Sequence, residues 1–175
     1  DERRADVRRG GEALRAGAKT VVAVEPAPDN LACLRRNFER EIASGRVIVY
    51  PKGVWDKDDV LKLNVYGTNT GKNSFILDRG QEASVLELPL TTIDKLVQEL
   101  KLPRVDFIKM DIEGAEQKAL AGGAKTLAAY HPKLAIATYH LPEDNQRIPE
   151  IVRAAWSGYR RFCTSCYIEQ TGGVL

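Results

Sequence analysis

The sequence predicts an α/β domain, with a mostly parallel central sheet and helices on both faces. Three observations carry that expectation. Short apolar, β-branched runs alternate with stretches of helical periodicity. The 175 residues suit a single domain spanning 1–175 that can bury a sizeable core. Three of the apolar runs stop on a polar residue, Glu25, Asp111 or His140. In parallel sheets, ligands bind outside the carboxyl ends of the strands, so these residues are expected to share one sheet edge.

Residues 11–18 are rich in Ala and read as the end of a helix, with Gly17 as its stop. TVVAVE is a short apolar strand ending on Glu25. In APDNLACLRRNFEREI, Pro28, Asp29 and Asn30 supply capping chemistry, and Leu31, Leu34 and Phe38 follow at helical spacing. RVIVYP is a second apolar strand, and VLKLNVY alternates as a half-buried strand does. A polar loop, an extended SVLELPLTTI and a short helix TIDKLVQEL come next, the helix with Thr91 or Thr92 near its cap. VDFIKMD is a strand ending on an acid, and GAEQKALAGGAKTLAAY is a helix with a glycine break. KLAIATYH is a strand ending on His140, EDNQRIPEIVRAAW is a helix, and the last seventeen residues read as strand, turn and partial strand.

Composition narrows the function classes. Charged residues make up 29% and no apolar run approaches the ~18 residues of a membrane span, so no membrane partner is expected. The first fifteen residues are too charged for a signal peptide, which makes the cytoplasm the expected compartment. Their arginines are the only basic concentration in a chain of net charge +2, and nucleic acid is not an expected partner. Cys33, Cys163 and Cys166 are an odd set. The CTSC pair has no second CxxC or HxxxH to complete four zinc ligands, and it reads as plain thiols or a local redox-sensitive pair, with a metal site completed by a partner chain or another histidine as the alternative.

Three constellations carry candidate chemistry. Glu25 follows four apolar residues, and a carboxylate there suits a vicinal diol; the competing reading is a cap or ion pair for the following helix. Asp111, Glu113 and Glu116 lie around one strand-to-helix turn with Gly114. Glu116 falls in the first helical turn, where the macrodipole favours an acid, and reads as structural. His140 is a candidate general base, whereas His131, before Pro132, earns no role. Residues 66–82 form a polar loop long enough for a lid, in which Asn69, Asn73 and Ser74 are candidates to bond a sugar.

VVAVEPAPDNLACLRRNFE, LPLTTIDKL, FIKMDIEGAE and AIATYHLPEDNQRIPEIV, in this order, resemble FkbM-type methyltransferases. KMDIEGAE is the most specific piece. The resemblance implies a Rossmann-like class I methyltransferase fold, seven-stranded with an antiparallel final strand, and S-adenosyl-L-methionine as cofactor. It implies Glu25 with Pro26 at the ribose; Gly53, Val54 and Asp56 at the adenine, Asp56 meeting its amino group; and Asp111 near the methionine part and the reacting methyl. Gly11 would be the remnant of the glycine-rich cofactor loop. Glu113, His140 and Asn73 would face the substrate, and His140 or Asp111 would act on its proton. The implied reaction is methylation of a hydroxyl on a sugar, polyketide or other small molecule. A cation on Asp111 and Glu113 is the alternative way to acidify that hydroxyl; the base is preferred, and no metal ligand is assigned. The competing function is a truncated, non-catalytic domain of this type with a binding role. A nicotinamide oxidoreductase is disfavoured, because no GxGxxG precedes Glu25 and no Tyr-x-x-x-Lys occurs. The opening DERRADVRRGGEALRAG departs from the family: ADVRR is a poor strand, so the domain is expected to be truncated or gapped near residues 1–12, without its first strand.

Overall fold

The computed structural model describes residues 10–65, 84–161, 168, 169, 173 and 174. The chain divides into two compact units, Asp1–Gly53 with Asp59–Leu90, and Val54–Asp58 with Thr91–Leu175.

In the first unit, α1 (residues 10–15) ends as the sequence predicts. Gly17 takes φ +97, the N–H of Ala18 donates to the Ala13 carbonyl at 3.0 Å, and that of Gly17 donates to Leu14 at 3.2 Å. This paired 6→1 and 5→2 closure needs a left-handed residue, which glycine supplies without steric cost. Strand β1 (Val21–Val24) pairs in parallel with β2 (Val47–Tyr50), Val21 opposite Val47 and Val24 opposite Tyr50. Helices α2 (Pro28–Asn37) and α3 (Glu39–Ala43) connect them. Leu34, Phe38 and Val47 form the core here, with Leu14, Val21, Ala23, Ile42 and Val49 packed around them. One expectation is corrected. Pro28 takes the first helical position, where its missing N–H costs nothing, but neither Asp29 nor Asn30 caps α2; the N-cap is Ala27, without a side-chain bond. Strand β4 (Asp59–Val65) runs antiparallel to β5 (Ser84–Thr91), from Asp59 opposite Leu90 to Val65 opposite Ser84. With β3 (Gly53–Val54) they form a sheet in the order β3-β5-β4.

In the second unit, β6 (Phe107–Met110) pairs in parallel with β7 (Lys133–Ile136). Helix α4 (Ile93–Glu99) is capped by Thr92, whose hydroxyl accepts the Lys95 N–H at 3.0 Å. Such a cap stabilises by about 1 kcal/mol. The predicted glycine break separates α5 (Glu116–Ala121) from α6 (Ala124–Tyr130). Its cause is a close backbone approach: a Cβ on Gly122 would lie 2.0 Å from the Trp55 carbonyl oxygen. Asp94 of α4 caps α6 across the fold, accepting from the Lys125 and Thr126 N–H groups at 3.1 and 2.7 Å. Helix α7 (Asp144–Ala155) carries Pro149, which gives no N–H to the Asn145 carbonyl; Arg161 donates to that carbonyl at 3.1 Å instead. Strands β8 (Ile168–Glu169) and β9 (Gly173–Val174) pair antiparallel.

The described strands include the parallel pairs β1–β2 and β6–β7, in keeping with the expected α/β class, and a single central sheet is not shown among the described residues. The strands between β2 and β6 form the β3-β5-β4 sheet, in which β4 and β5 are antiparallel. The strand predicted to end on His140 stops four residues earlier, at Ile136. Its partner β6 ends at Met110 and the chain then turns away, so the ladder ends with the Ala137 N–H on the Met110 carbonyl at 2.9 Å.

Candidate active site

Strand β6 delivers Asp111 directly past its carboxyl end. The chain then reverses through Glu113 at φ 59 and Gly114 at φ 100. A non-glycine residue held in the left-handed region costs on the order of 1–3 kcal/mol and persists where its surroundings over-determine it. Here Glu116 supplies that constraint. It opens α5, whose N-cap Ala115 makes no side-chain bond, and it reaches back over the turn. Its Oε1 accepts the Ile112 N–H at 2.7 Å and its Oε2 accepts the Gly114 N–H at 3.0 Å. The residue is fully buried. The same carboxylate therefore occupies the macrodipole position and ties the turn.

The segment after β7 brings His140 onto this turn. Buried Asp144 fixes the segment by accepting the Leu141 N–H at 2.8 Å and the Gln117 side-chain amide at 2.9 Å. The His140 side chain is 6% exposed. Its Nδ1 lies 3.1 Å from Glu116 Oε1, and its Nε2 lies 3.7 Å from Asp111 Oδ1 and 3.8 Å from Glu113 Oε2. The Nδ1 contact is at ion-pair distance but off the hydrogen-bond axis. Asp111 also accepts from Tyr139 Oη at 3.1 Å and from Lys109 Nζ at 3.4 Å, and the Tyr139 and His140 rings tilt together at 4.5 Å.

Three carboxylates around one imidazole set its electrostatics. Burial opposes a charged His140, but Glu116, Glu113 and Asp111 outweigh it and raise its pKa. Burial likewise opposes a charged Glu116, yet the His140 ring and the turn's N–H groups hold its carboxyl below the ordinary range. The Tyr139 phenol is pushed up to about 12 by burial and by Asp111.

Asp111, Glu113 and His140 are thus brought together, as the sequence expects. Glu116, read there as structural, joins them, and Tyr139 and Lys109 went unassigned. Ligand atoms of Asp111, Glu116 and His140 lie within 4.8 Å of one another, a compass that fits a small cation. Both Glu116 oxygens, however, already take backbone N–H bonds, which commits that carboxylate to the turn.

The other expected residues fall as follows. Glu25 and Pro26 directly follow β1 in the first unit; Glu25 Oε1 accepts the Ala27 N–H at 2.7 Å and Oε2 accepts the Asn30 amide at 3.0 Å. Both oxygens thus meet groups at the start of α2, without a side-chain cap of the helix. Gly11 lies inside α1 instead of in a turn. Buried Gly53 and Val54 form β3. In the second unit, Asp56 Oδ2 accepts from Lys118 Nζ at 2.8 Å, while Oδ1 is buried without a hydrogen-bond partner among the described residues. Asn73 and the rest of loop 66–82, Cys163 and Cys166 lie outside the described residues. No described helix is long and apolar enough to cross a membrane.

The fold is similar to the crystal structure of the methyltransferase FkbM from Methylobacillus flagellatus KT, with a TM-score of 0.64 at 22% identity. The match covers 89% of this chain and 36% of that one, so the chain spans little more than a third of that protein's length. No curated protein matches the chain. The model of the methyltransferase FkbM domain matches residues 6–161, most of the sequence, and the chain belongs to the FkbM methyltransferase family.

Proposed function

We propose that the chain is an S-adenosyl-L-methionine-dependent O-methyltransferase acting on a hydroxyl of a sugar, polyketide or other small molecule. One observation carries the reading: an acid–histidine cluster stands past the carboxyl end of a parallel strand, where α/β folds bind and transform ligands. The cofactor, when bound, supplies an electrophilic methyl group. One feature of the chain fits its adenine: buried Asp56 Oδ1, without a hydrogen-bond partner among the described residues, is an acceptor for an exocyclic amino group, and burying it without a donor would cost free energy. Gly53 and Val54 belong to the same proposed subsite, and Glu25 with Pro26 is the proposed ribose ligand, because a carboxylate suits a vicinal diol. Gly11, inside α1, is set aside.

His140 Nε2 takes the proton of the acceptor hydroxyl, and Asp111 and Glu113, 3.7 and 3.8 Å away, stabilise the imidazolium that forms. Asp111 also orients, because Tyr139 and Lys109 hold it. Alignment of oxygen and methyl group gives much of the rate in such a transfer. A cytoplasmic setting belongs to the same proposal. The test is transfer of labelled methyl to a panel of sugar and polyketide alcohols, beside calorimetric titration with S-adenosylhomocysteine. Saturable binding with transfer to a hydroxyl is expected; label on nitrogen or carbon acceptors alone would overturn the O-methyl assignment.

A further inference from the structure

The buried Nδ1 side of His140 faces Glu116. A neutral imidazole carries one N–H, and the partner of one nitrogen decides what the other can do. Left unconstrained, the ring prefers its proton on Nε2, which would make Nε2 a donor, unable to accept a proton. In this chain the Glu116 carboxylate stands 3.1 Å from Nδ1. A carboxylate only accepts, so it favours a proton on Nδ1. The ring torsion is broad enough to bring that N–H onto the carboxylate axis. Glu116 itself is immobilised: it is fully buried and bonded to the N–H groups of Ile112 and Gly114. Orientation thus passes from the turn after β6 through Glu116 to the ring. On the opposite side, Nε2 stands 3.7 and 3.8 Å from Asp111 and Glu113, beyond direct hydrogen bonding and within the span that one bridging oxygen fills.

We infer that Glu116 is a positioning residue, whose carboxylate holds Nδ1–H of His140 and leaves Nε2 as the proton-accepting atom beside Asp111 and Glu113. This rests on the reading of His140 as the base, but it makes a claim about the ring that can be checked without turnover.

The test is nuclear magnetic resonance of the whole chain carrying 15N- and 13C-labelled histidine, at a pH where His140 is neutral. The chain has two histidines, so His131→Gln assigns both signals. The proton is expected on Nδ1 of His140; a proton on Nε2 overturns the inference even if Glu116→Gln does not fold. In a folded Glu116→Gln, the side-chain amide can donate to Nδ1. The proton is then expected to move to Nε2, and kcat to fall about 10²–10⁴-fold, with S-adenosylhomocysteine affinity within about threefold of wild type. Unchanged tautomer and kcat in that variant would reduce Glu116 to a turn clamp. Failure of the methyltransferase reading shows separately, as no binding of S-adenosylhomocysteine by a chain that still carries the Nδ1 proton.

Discussion

The turn after β1 and the turn after β6 each follow a parallel strand, and each is tied by a carboxylate accepting a backbone N–H at 2.7 Å: Glu25 from Ala27, and Glu116 from Ile112. They part at the next partner. Glu25 meets the neutral amide of Asn30, while Glu116 meets a second backbone N–H and the imidazole of His140. Glu25 is part-exposed and Glu116 is fully buried. One local device therefore serves two ends. A carboxylate beside an imidazole faces a group that can trade a proton; the Asn30 amide beside Glu25 cannot.

The largest effect should come from breaking the buried version. Glu116→Ala strands two turn N–H groups and removes the carboxylate facing buried His140, and it should cost on the order of 3–5 kcal/mol in denaturant unfolding. A loss below about 1 kcal/mol would show that the turn does not depend on this carboxylate. Next, His140→Ala should lower kcat about 10²–10⁴-fold and leave S-adenosylhomocysteine affinity nearly unchanged; equal turnover would remove His140 from the mechanism.

The pH dependence sharpens the contrast. Glu116 has a lowered pKa, so its contribution to stability is present above its ordinary 4.5 and is lost as pH falls through the lowered value. His140 has a raised pKa, so its contribution is complete below its ordinary 6.5 and is lost as pH rises through the raised value. Thermal melts should show the pair stabilising most between those two ordinary values, and turnover should rise with pH above 6.5 as Nε2 loses its proton. The amide of Asn30 does not titrate. Asn30→Ala should cost only about 0.5–1.5 kcal/mol in the same melts at neutral pH.

The strands and helices were legible because their signals are local: β-branched runs for β1 and β2, helical spacing for α2, Thr92 before α4, and the glycine pair between α5 and α6. Pairing is not local. Nothing inside VVAV or FIKM says which strand each will join; β1 pairs with β2 and β6 with β7. The acid at the end of β6 was legible for the same local reason. Glu116 was placed correctly in the first turn of a helix, but its principal partner lies twenty-four residues on, in a segment whose approach depends on where β6 stops and on Asp144 holding Leu141. The strand ending on His140 was over-extended because ATYH carries β-forming residues while its ladder partner had already run out.

Cofactor recognition is tested most directly by calorimetric titration of the whole chain with S-adenosylhomocysteine. Saturable binding at one site, weakened about tenfold or more by Glu25→Ala, is the predicted result. No heat of binding from the folded chain, or equal affinity in wild type and Glu25→Ala, would contradict it.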